Sequence, residues 1–249
     1  MRLALIGDPV AHSLSPQLHR GFLAELRTSG VYETIRTPAG EGARVIEGLR
    51  AAGYRGVNVT TPLKEEAFAY CERHDDLARA SGSVNTIVFE RGLACGYNTD
   101  GAGALGAVRA AFERVDVGGL TVLILGAGPT ARAATSALRD AGAVVVIWNR
   151  TRERAERIRK AHGVELWRAG MHVDAVLSTV SPHSSLEDDE LRAAVLAAPV
   201  VLDANYAERA TLGAILGRPV IDGGEMLRAS ARASFELFIR QHRVERGGL

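Results

Sequence analysis

The fold is decided by residues 121–134, which read TVLILGAGPTARAA. An apolar stretch typical of a buried strand leads into Gly126, Ala127 and Gly128, and a helical pattern follows. Gly126 permits the tight turn, Gly128 lets the backbone approach a pyrophosphate, and the small Ala131 lets the helix sit close to the strand. We expect dinucleotide phosphates on the amides at the start of that helix. Taken alone, the pattern also fits an ordinary strand, turn and helix of an α/β domain.

The residues after the next strand indicate which dinucleotide is bound. The strand pattern VVVIW, 144–148, runs into Asn149, Arg150 and Thr151, at about the distance where such folds contact the adenosine ribose. An Asp or Glu there would favour NAD. Arg150, with Arg154 one helical turn further on, instead suits a 2′-phosphate, because guanidinium groups bind phosphate oxygens in a fork. The sequence therefore predicts NADP(H), with a solvated arginine-rich helix face as the alternative.

Alternating strand and helix patterns extend from this unit in both directions, which is typical of mainly parallel sheets covered by helices. Ser15 and Pro16 are expected to cap and open the first helix. In the first half we expect strands at 3–7, 32–37 and 57–60, a hairpin at 86–97, and helices at 15–26 and 41–52. In the second half we expect strands at 120–125, 144–148, 175–179, 200–204 and 220–222, and helices at 102–115, 129–141, 151–161 and 225–242. The sequence therefore predicts an α/β protein of two domains.

The composition limits the possible partners. The 249 residues are 47% hydrophobic and 24% charged with a formal net charge of +1, which gives no case for nucleic acid or an anionic membrane as partner. The N-terminal apolar run is too short for a signal peptide and no apolar stretch has membrane length, so we expect a cytoplasmic protein. Cys71 and Cys95 are expected to be reduced thiols. Neither the cysteines nor the seven histidines have the spacing of a metal site, so no metal is expected.

Polar side chains cluster where strands of the first half are expected to end, which is where open α/β sheets bind ligands. They belong to four stretches: HSLSP with Ser13 and Ser15, NVTTPLK with Asn58, Thr60 and Lys64, SVNT with Asn85, and YNTDG with Asn98 and Asp100. Hydroxyls, amides, one ammonium and one carboxylate suit a small polyhydroxylated substrate that carries a carboxylate. Helix capping and turn formation are the alternative for each stretch taken singly.

Lys64 is unusual because Lys64 and Lys160 are the only lysines among 30 basic residues. A lysine in a desolvated pocket can lose its proton near neutral pH, whereas an arginine cannot. Proton transfer at Lys64 is therefore a hypothesis, with codon bias as the alternative reason for the scarcity of lysine.

The ordered motifs of the chain resemble those of the shikimate dehydrogenase family. They are GDPVAHSLSPQLH, GVNVTTPLK, SGSVNT, NTDG, GAGPTARA, NRT followed by Arg154, DANY and GGEML. The resemblance implies an enzyme that reversibly reduces 3-dehydroshikimate to shikimate with NADPH, in the pathway to aromatic amino acids. It also implies that the last helix returns to the first domain. The expected domains are then a substrate-binding domain of 1–101 plus 223–249 and a Rossmann-like NADP-binding domain of 102–222.

The resemblance also implies roles for individual residues. Lys64 and Asp100 would be the catalytic pair, in which Lys64 donates the proton that follows the hydride and Asp100 orients its ammonium. The implied substrate-binding residues are Ser13 and Ser15 for the carboxylate, Thr60, Asn85 and Asp100 for the ring hydroxyls, and also Asn58, Tyr206 and Ser230. The implied cofactor-binding residues are Gly126, Ala127, Gly128, Ala131, Asn149, Arg150, Thr151, Arg154, Thr179 and Gly224.

Ser230 departs from the family pattern, because the family's last helix normally presents a longer, substrate-binding Gln at this position. One alternative is therefore a paralogue that acts on a related ring acid of the quinate or aminoshikimate type, although Arg150 argues against an enzyme that prefers NAD. The other alternative is a catalytically idle NADP-binding or regulatory module, against which the joint presence of Lys64 and Asp100 argues. We expect a protein that acts on a small molecule as a monomer or homodimer.

Overall fold

Two separate β-sheets organise the chain, each with helices around it. The structure, a computed structural model, describes residues 1–182 and 184–245. The chain divides into unit 1, which comprises residues 1–99 and the part of the last helix from Ser230 onward, and unit 2, which comprises Asp100–Ala229. The predicted α/β class with two domains is confirmed.

Unit 1 is built on a mixed six-stranded sheet. Its strands are β1 (Arg2–Gly7), β2 (Val31–Arg36), β3 (Gly56–Val59), β4 (Arg73–His74), β5 (Thr86–Glu90) and β6 (Leu93–Tyr97). Its first four helices are α1 (Ser15–Glu25), α2 (Gly42–Ala51), α3 (Lys64–Tyr70) and α4 (Asp76–Ser81). The strand order is β2-β1-β3-β5-β6-β4. β1 pairs in parallel with β2 and β3, whereas β5 runs antiparallel to β3 and β6.

Successive residues of β1 face opposite sides of this sheet, as the period of a strand requires. Ala4 and Ile6 belong to one buried apolar cluster, and Leu3 and Leu5 belong to another. All four positions are buried because the sheet is covered on both faces, which explains why β1 reads as a continuous apolar run rather than as an alternating one.

The last helix completes the second of these clusters. Phe235 and Phe238 of this helix, Gly224–Glu245, are 1% and 0% exposed and pack with Leu3 and Leu5. A β-carbon at Gly56 would lie 2.3 Å from the ring of Phe238, so only glycine lets the helix approach β3 this closely. Ala231, Phe235 and Phe238 of the last helix are thus part of the core of unit 1.

Unit 2 contains a five-stranded sheet in which every pair is parallel. Its strands are β7 (Thr121–Leu125), β8 (Val144–Trp148), β9 (Glu165–Leu166), β10 (Ala175–Ser178) and β11 (Val200–Asp203). Its helices are α5 (Asp100–Ala111), α6 (Pro129–Asp140), α7 (Arg152–His162), α8 (Asp189–Ala197), α9 (Leu212–Leu216) and the start of α10 (Gly224–Glu245). The strand order is β11-β10-β7-β8-β9, with β7 at the centre.

The core of unit 2 also has two sides. Val122 and Ile124 of β7 belong to one apolar cluster, and Leu123 and Leu125 belong to the other. Met226 of α10 is buried in the first cluster. This burial explains why the division between the units falls inside α10, whereas the sequence placed a boundary before this helix.

Two expected features of the chain are wrong. The segment 220–222 is not a strand, since a single bridge joins Ile221 to Leu202 and the chain enters α10 at Gly224. Ser15 is not a helix cap, because Leu14 already has helical dihedrals of φ −81° and ψ −9° and Ser15 is the first residue of α1. The backbone N–H of Ser15 instead donates to the Ser13 hydroxyl over 3.2 Å.

Among the described residues, no helix has both the length and the apolar character needed to cross a membrane.

Candidate active site

Lys64 is held by its main chain in unit 1. β3 ends at Val59, and α3 begins at Lys64 after the turn TTPL. The side chain of Leu63, directly before it, is fully buried, and the Lys64 carbonyl accepts a hydrogen bond from the amide of Val84 over 2.9 Å. The Lys64 side chain is half-buried. These contacts fix Lys64 next in space to the SVNT stretch, whose Asn85 follows Val84.

The amide of Asn85 has one defined orientation. Its Oδ1 accepts from the backbone N–H of Thr99 over 2.8 Å, and since an N–H can only donate, this contact decides which atom of the amide is oxygen. Nδ2 of Asn85 donates to the Thr99 hydroxyl over 3.1 Å. Asn85 is buried, with 6% of its surface exposed, so a flipped amide would leave polar groups unpaired.

Asn58 is held in the same hydrogen-bond network. The Thr86 hydroxyl donates to Oδ1 of Asn85 over 3.1 Å and accepts from Nδ2 of Asn58 over 3.2 Å. Oδ1 of Asn58 accepts from the Tyr32 hydroxyl over 2.9 Å. The orientation set at Asn85 is therefore carried through Thr86 and Asn58 to Tyr32.

Ser230 lies at the other end of this network. Its hydroxyl oxygen is 2.9 Å from the Thr99 hydroxyl oxygen and 3.5 Å from Nδ2 of Asn85. We call the connected side chains of Tyr32, Asn58, Asn85, Thr86, Thr99 and Ser230 the Asn85 network. The structure thus brings three of the predicted substrate-binding residues, Asn58, Asn85 and Ser230, into one hydrogen-bonded set.

The serines of HSLSP lie beside a buried histidine. The Ser15 carbonyl is 3.0 Å from Nδ1 of His19, and because a carbonyl only accepts, Nδ1 carries the hydrogen. Nε2 of His19 is 3.2 Å from the Ser234 hydroxyl of α10, and the ring stacks on Tyr32 with centroids 4.3 Å apart. Burial lowers the pKa of His19 to about 4, against which the hydrogen bond to Ser15 acts, so the ring is neutral near pH 7.

Thr60 and Asn98 differ in surroundings. Thr60 follows β3, and its amide donates to the Ile6 carbonyl over 2.9 Å. A β-carbon on Gly7 would lie 2.4 Å from Cγ2 of Thr60, which explains the glycine at the end of β1. Asn98 is 3% exposed, and its Nδ2 donates to the hydroxyls of Ser81, at the end of α4, and of Ser83. These contacts favour an interior, structural role for Asn98.

Asp100 belongs to unit 2 and begins α5. It is buried, with 8% of its surface exposed, and its Oδ2 accepts a hydrogen bond from the Thr130 hydroxyl over 3.2 Å. A carboxylate in the first turn of a helix interacts favourably with the positive end of the helix dipole.

The nucleotide loop has the local geometry that a pyrophosphate requires. Gly126 has φ +114°, its amide donates to the Trp148 carbonyl over 2.8 Å, and a β-carbon here would lie 2.5 Å from Oγ1 of Thr179. At Gly128 an added β-carbon would meet nothing within 4 Å, so the backbone is open on that side. Ala131 is fully buried against the sheet, and Ala127 lies between the two glycines. These residues fit a bound dinucleotide.

The residues predicted to contact the ribose end lie after β8. Asn149 is half-buried and its Nδ2 donates to the Thr151 carbonyl over 2.9 Å, which closes the turn before α7. Arg150, Thr151 and Arg154 are exposed, so their polar groups can reach an anion from solvent. Two guanidinium groups and a hydroxyl at this turn fit a 2′-phosphate.

Three further predicted residues lie at other turns of unit 2. Thr179 follows β10, and its hydroxyl donates to the Leu125 carbonyl over 2.9 Å. Gly224 opens α10, and its amide donates to Oδ1 of Asp222 over 3.0 Å. Tyr206 follows β11 and is half-buried. Tyr206 is thus in unit 2, whereas the predicted substrate-binding residues Ser13 to Asn85 and Ser230 are in unit 1.

Sequence reasoning missed three residues, Tyr32, Thr86 and Thr99, that hold the Asn85 amide and its neighbour Asn58. Thr86 and Thr99 are neighbours of predicted residues in SVNT and NTDG, so the motifs contained them without indicating their contacts. Within residues 1–182 and 184–245, no three His, Cys, Asp or Glu side chains are arranged to hold a metal ion.

Two family models match the chain, in separate regions. A family model described as the shikimate dehydrogenase substrate binding domain matches residues 5–87, and one described as shikimate / quinate 5-dehydrogenase matches residues 108–203. A shikimate dehydrogenase (NADP(+)) of Acidiphilium cryptum is 41% identical over 204 residues, which cover 78% of this chain and 73% of the relative.

Two crystal structures are similar over nearly the whole chain. Shikimate dehydrogenase of Aquifex aeolicus superimposes with a TM-score of 0.82 at 31% identity, covering 96% of this chain and 92% of that one. Shikimate 5-dehydrogenase of Thermus thermophilus in complex with NADP(H) and shikimate gives a TM-score of 0.80 at 31% identity, with coverages of 96% and 93%. The chain therefore belongs to the shikimate dehydrogenase family.

Proposed function

We propose that this chain is an NADP-dependent oxidoreductase that reversibly reduces 3-dehydroshikimate to shikimate, in the biosynthesis of aromatic amino acids. The observation that carries the proposal is the position of the two matched family regions. Residues 5–87, matched as a substrate binding domain, fall in unit 1, and residues 108–203, matched as a dehydrogenase, fall in unit 2. The first region contains Lys64 and Asn85, the second contains the nucleotide loop, and Asp100 lies between the two regions.

Unit 1 offers groups for a hydroxylated ring acid. Asn85, Asn58 and Thr60 present amides and a hydroxyl at the ends of strands, and the Asn85 network fixes the direction of both amides. Ser13 and Ser15 lie together at the start of α1, where the Ser15 amide donates to the Ser13 hydroxyl, and hydroxyls suit a carboxylate because they can donate to it. Fixed donors and acceptors allow an enzyme to reject a ring that lacks a matching hydroxyl.

Lys64 is proposed as the proton donor for reduction and the acceptor for oxidation. Hydride addition to a ketone leaves negative charge on oxygen, and a proton must follow. An ammonium stabilises that charge and supplies the proton, whereas an arginine can only stabilise the charge. A cation at the first position of a helix opposes the helix dipole, so helix stability does not account for Lys64. Asp100 is proposed as the catalytic carboxylate of the same reaction and as an acceptor for a ring hydroxyl.

NADP supplies the hydride chemistry when it is bound. Gly126, Gly128 and the first turn of α6 are proposed to hold its pyrophosphate, and Arg150 with Arg154 its 2′-phosphate. Ala127, Ala131, Asn149, Thr151, Thr179 and Gly224 are proposed to shape the same binding surface. Tyr206 and Ser230 are proposed as further substrate-binding residues. Use of NADPH for biosynthesis supports a cytoplasmic location, and we propose a monomer or homodimer, which size-exclusion chromatography with light scattering distinguishes.

A second candidate is oxidation of a related ring acid such as quinate. The family description that matches 108–203 covers shikimate and quinate, and the short side chain at Ser230 leaves space that the family's Gln would fill. The ratio of kcat/KM for shikimate to that for quinate decides between the two substrates.

The deciding experiment follows NADP+ reduction with shikimate and with quinate, for wild type and for variants of both lysines. We expect turnover on shikimate that falls at least about 100-fold in Lys64→Ala, the lower range for general acid catalysis. Lys64→Arg should retain most substrate binding and lose most of the rate. Lys160→Ala, at an exposed position on α7, is the matched control and should behave as wild type. A loss below about tenfold in Lys64→Ala would contradict the proposed role.

A further inference from the structure

Thr130 connects the nucleotide loop to the candidate catalytic carboxylate. It is the second residue of α6, directly after the turn that contains Gly126 and Gly128. Its hydroxyl donates to Oδ2 of Asp100 over 3.2 Å, and both residues belong to unit 2. A threonine in the first turn of a helix can also bond locally to its own backbone, so the contact with another helix indicates a role beyond the turn.

The two helices that carry these residues pack on each other, and Ala104 of α5 shares one buried apolar cluster with Ala131 and Ala134 of α6. On α5, Gly101, Gly103 and Ala104 are buried, and on α6, Ala131 and Ala134 are fully buried. Small residues let helix backbones approach one another and leave little room for relative movement. The distance between Thr130 and Asp100 is therefore set by the packing of α5 on α6 and not by two flexible side chains.

We infer that Thr130 is a positioning residue that fixes the Asp100 carboxylate and makes its position depend on the nucleotide loop. The inference rests on the proposed function, in which Asp100 takes part in the reaction and the first turn of α6 holds the cofactor pyrophosphate. A cofactor that orders this turn orders the Thr130 hydroxyl, and the hydroxyl orders one carboxylate oxygen. Thr130 touches neither the hydride nor the proton that moves, so it acts through Asp100.

The test compares Thr130→Val with Thr130→Ser. Valine keeps the shape of threonine and removes the hydroxyl, whereas serine keeps the hydroxyl. We expect kcat with shikimate to fall about tenfold in Thr130→Val, the value of one hydrogen bond to a charged group, and to recover in Thr130→Ser. The Kd for NADPH, followed by its fluorescence, should change less than about twofold, because the backbone that binds phosphate is unchanged.

Thr135→Val is the matched control. Thr135 lies on the same helix, is fully buried and has no hydrogen-bond partner for its hydroxyl. Removal of that hydroxyl should leave kcat, KM and the Kd for NADPH unchanged. A general effect of replacing threonine with valine on α6 would appear in both variants, whereas the loss of the Thr130 contact appears only in Thr130→Val.

A double-mutant cycle on stability tests the contact without needing activity. Thr130→Val, Asp100→Ala and the double variant are unfolded in urea, and because alanine removes the acceptor of the Thr130 hydrogen bond, we expect the two substitutions to be clearly non-additive in midpoint. Additive midpoints, or a wild-type kcat in Thr130→Val, would overturn the inference. Absence of wild-type turnover on both shikimate and quinate would instead count against the proposed function, while the stability cycle would still report on the contact.

Discussion

The Tyr32 hydroxyl donates a hydrogen bond of 2.9 Å to Oδ1 of Asn58. Tyr32 comes from β2, at one edge of the sheet of unit 1, and Asn58 comes from β3. The Thr99 amide fixes Oδ1 of Asn85 as an acceptor, so the Thr86 hydroxyl donates to it and accepts from Nδ2 of Asn58. Oδ1 of Asn58 is then the acceptor for the Tyr32 hydroxyl, and every hydrogen bond along this path has a donor and an acceptor. A phenol outside the predicted substrate-binding residues thereby orients one of them.

Tyr32→Phe should raise the KM for shikimate by roughly fivefold, the effect of about 1 kcal/mol for one neutral hydrogen bond. The ring stacked on His19 remains, and the Asn58 amide loses the partner that holds its oxygen. The KM for NADPH should not change. Tyr97→Phe is the control, because the Tyr97 hydroxyl donates to Glu90 at 3.4 Å. Equal effects of both substitutions on the KM for shikimate would contradict a specific role for Tyr32.

Because of His19, the free energy of unfolding should decrease as the pH is lowered. Burial lowers its pKa from 6.5 to about 4, so between these values the unfolded state binds a proton that the folded state does not. Stability therefore declines as pH falls from 6.5 towards 4, with a slope of up to about 1.4 kcal/mol per pH unit from this group. Urea unfolding across this range measures the slope.

His19→Gln should reduce that slope by up to about 1.4 kcal/mol per pH unit, the contribution of one proton. It also removes packing and so lowers the free energy of unfolding at pH 7. His12→Gln, at an exposed position two residues after Val10, provides the comparison for loss of an imidazole from the surface. The explanation fails if wild type and His19→Gln lose stability in parallel between pH 6.5 and 4.

Alanine at the two loop glycines should separate folding from cofactor binding. Gly126→Ala forces alanine to φ +114° and places its β-carbon 2.5 Å from Oγ1 of Thr179. We expect the backbone strain to lower the free energy of unfolding by roughly 1–3 kcal/mol, and therefore the Tm, and we also expect weaker NADPH binding. Gly128→Ala meets no atom within 4 Å and has an ordinary φ of −81°. It should keep the wild-type Tm and still weaken NADPH, since its methyl group occupies the side that a pyrophosphate approaches.

Thermal unfolding without cofactor and titration with NADPH distinguish these outcomes. If Gly128→Ala binds NADPH as wild type does, the pyrophosphate does not lie against this turn.

Arg150→Ala should weaken NADPH by about tenfold or more and leave NADH unchanged, because a guanidinium bound to a 2′-phosphate makes a charge-assisted contact that NADH lacks. Arg157→Ala, at an exposed position further along α7, is the control for the loss of one positive charge. Fluorescence titrations of wild type and both variants with NADPH and with NADH give the six affinities. A parallel loss of NADH affinity would assign Arg150 to packing or folding.

Strand positions could be predicted where local composition decides them. The bounds of β8 coincide with those of the apolar run VVVIW. Consecutive β-branched residues favour a strand, and the polar turn that follows ends it. The segment 220–222 also begins with β-branched residues, Val220 and Ile221, but forms only one bridge, and the chain then enters α10 at Gly224. The short distance along the chain from Val220 to the start of α10 limits this segment to one bridge, and a local apolar pattern carries no information on that distance.

The nucleotide loop could be predicted for the same local reason, because glycine at positive φ and a small residue facing the strand are requirements of a single turn. The Asn85 network could not. It depends on the register in which Asn58 of β3 stands opposite Thr86 of β5, and two helices separate these strands along the chain. The contact of Thr130 could not be predicted either, because its partner Asp100 is thirty positions away in the sequence. The packing of α5 on α6 brings the two residues together, and no sequence periodicity indicates that packing.

The positions of Phe235 and Phe238 determine when the core of unit 1 can be completed during synthesis. Both are buried in the core of unit 1, although that unit contains the first residue of the chain. The residues of the two apolar clusters of unit 2 lie between Ala104 and Met226, so all of them leave the ribosome earlier than these two phenylalanines. Residues 1–99 must therefore wait for α10 before the core of unit 1 is complete. Until then they expose the apolar face of β1, and chaperones have that interval in which to bind them.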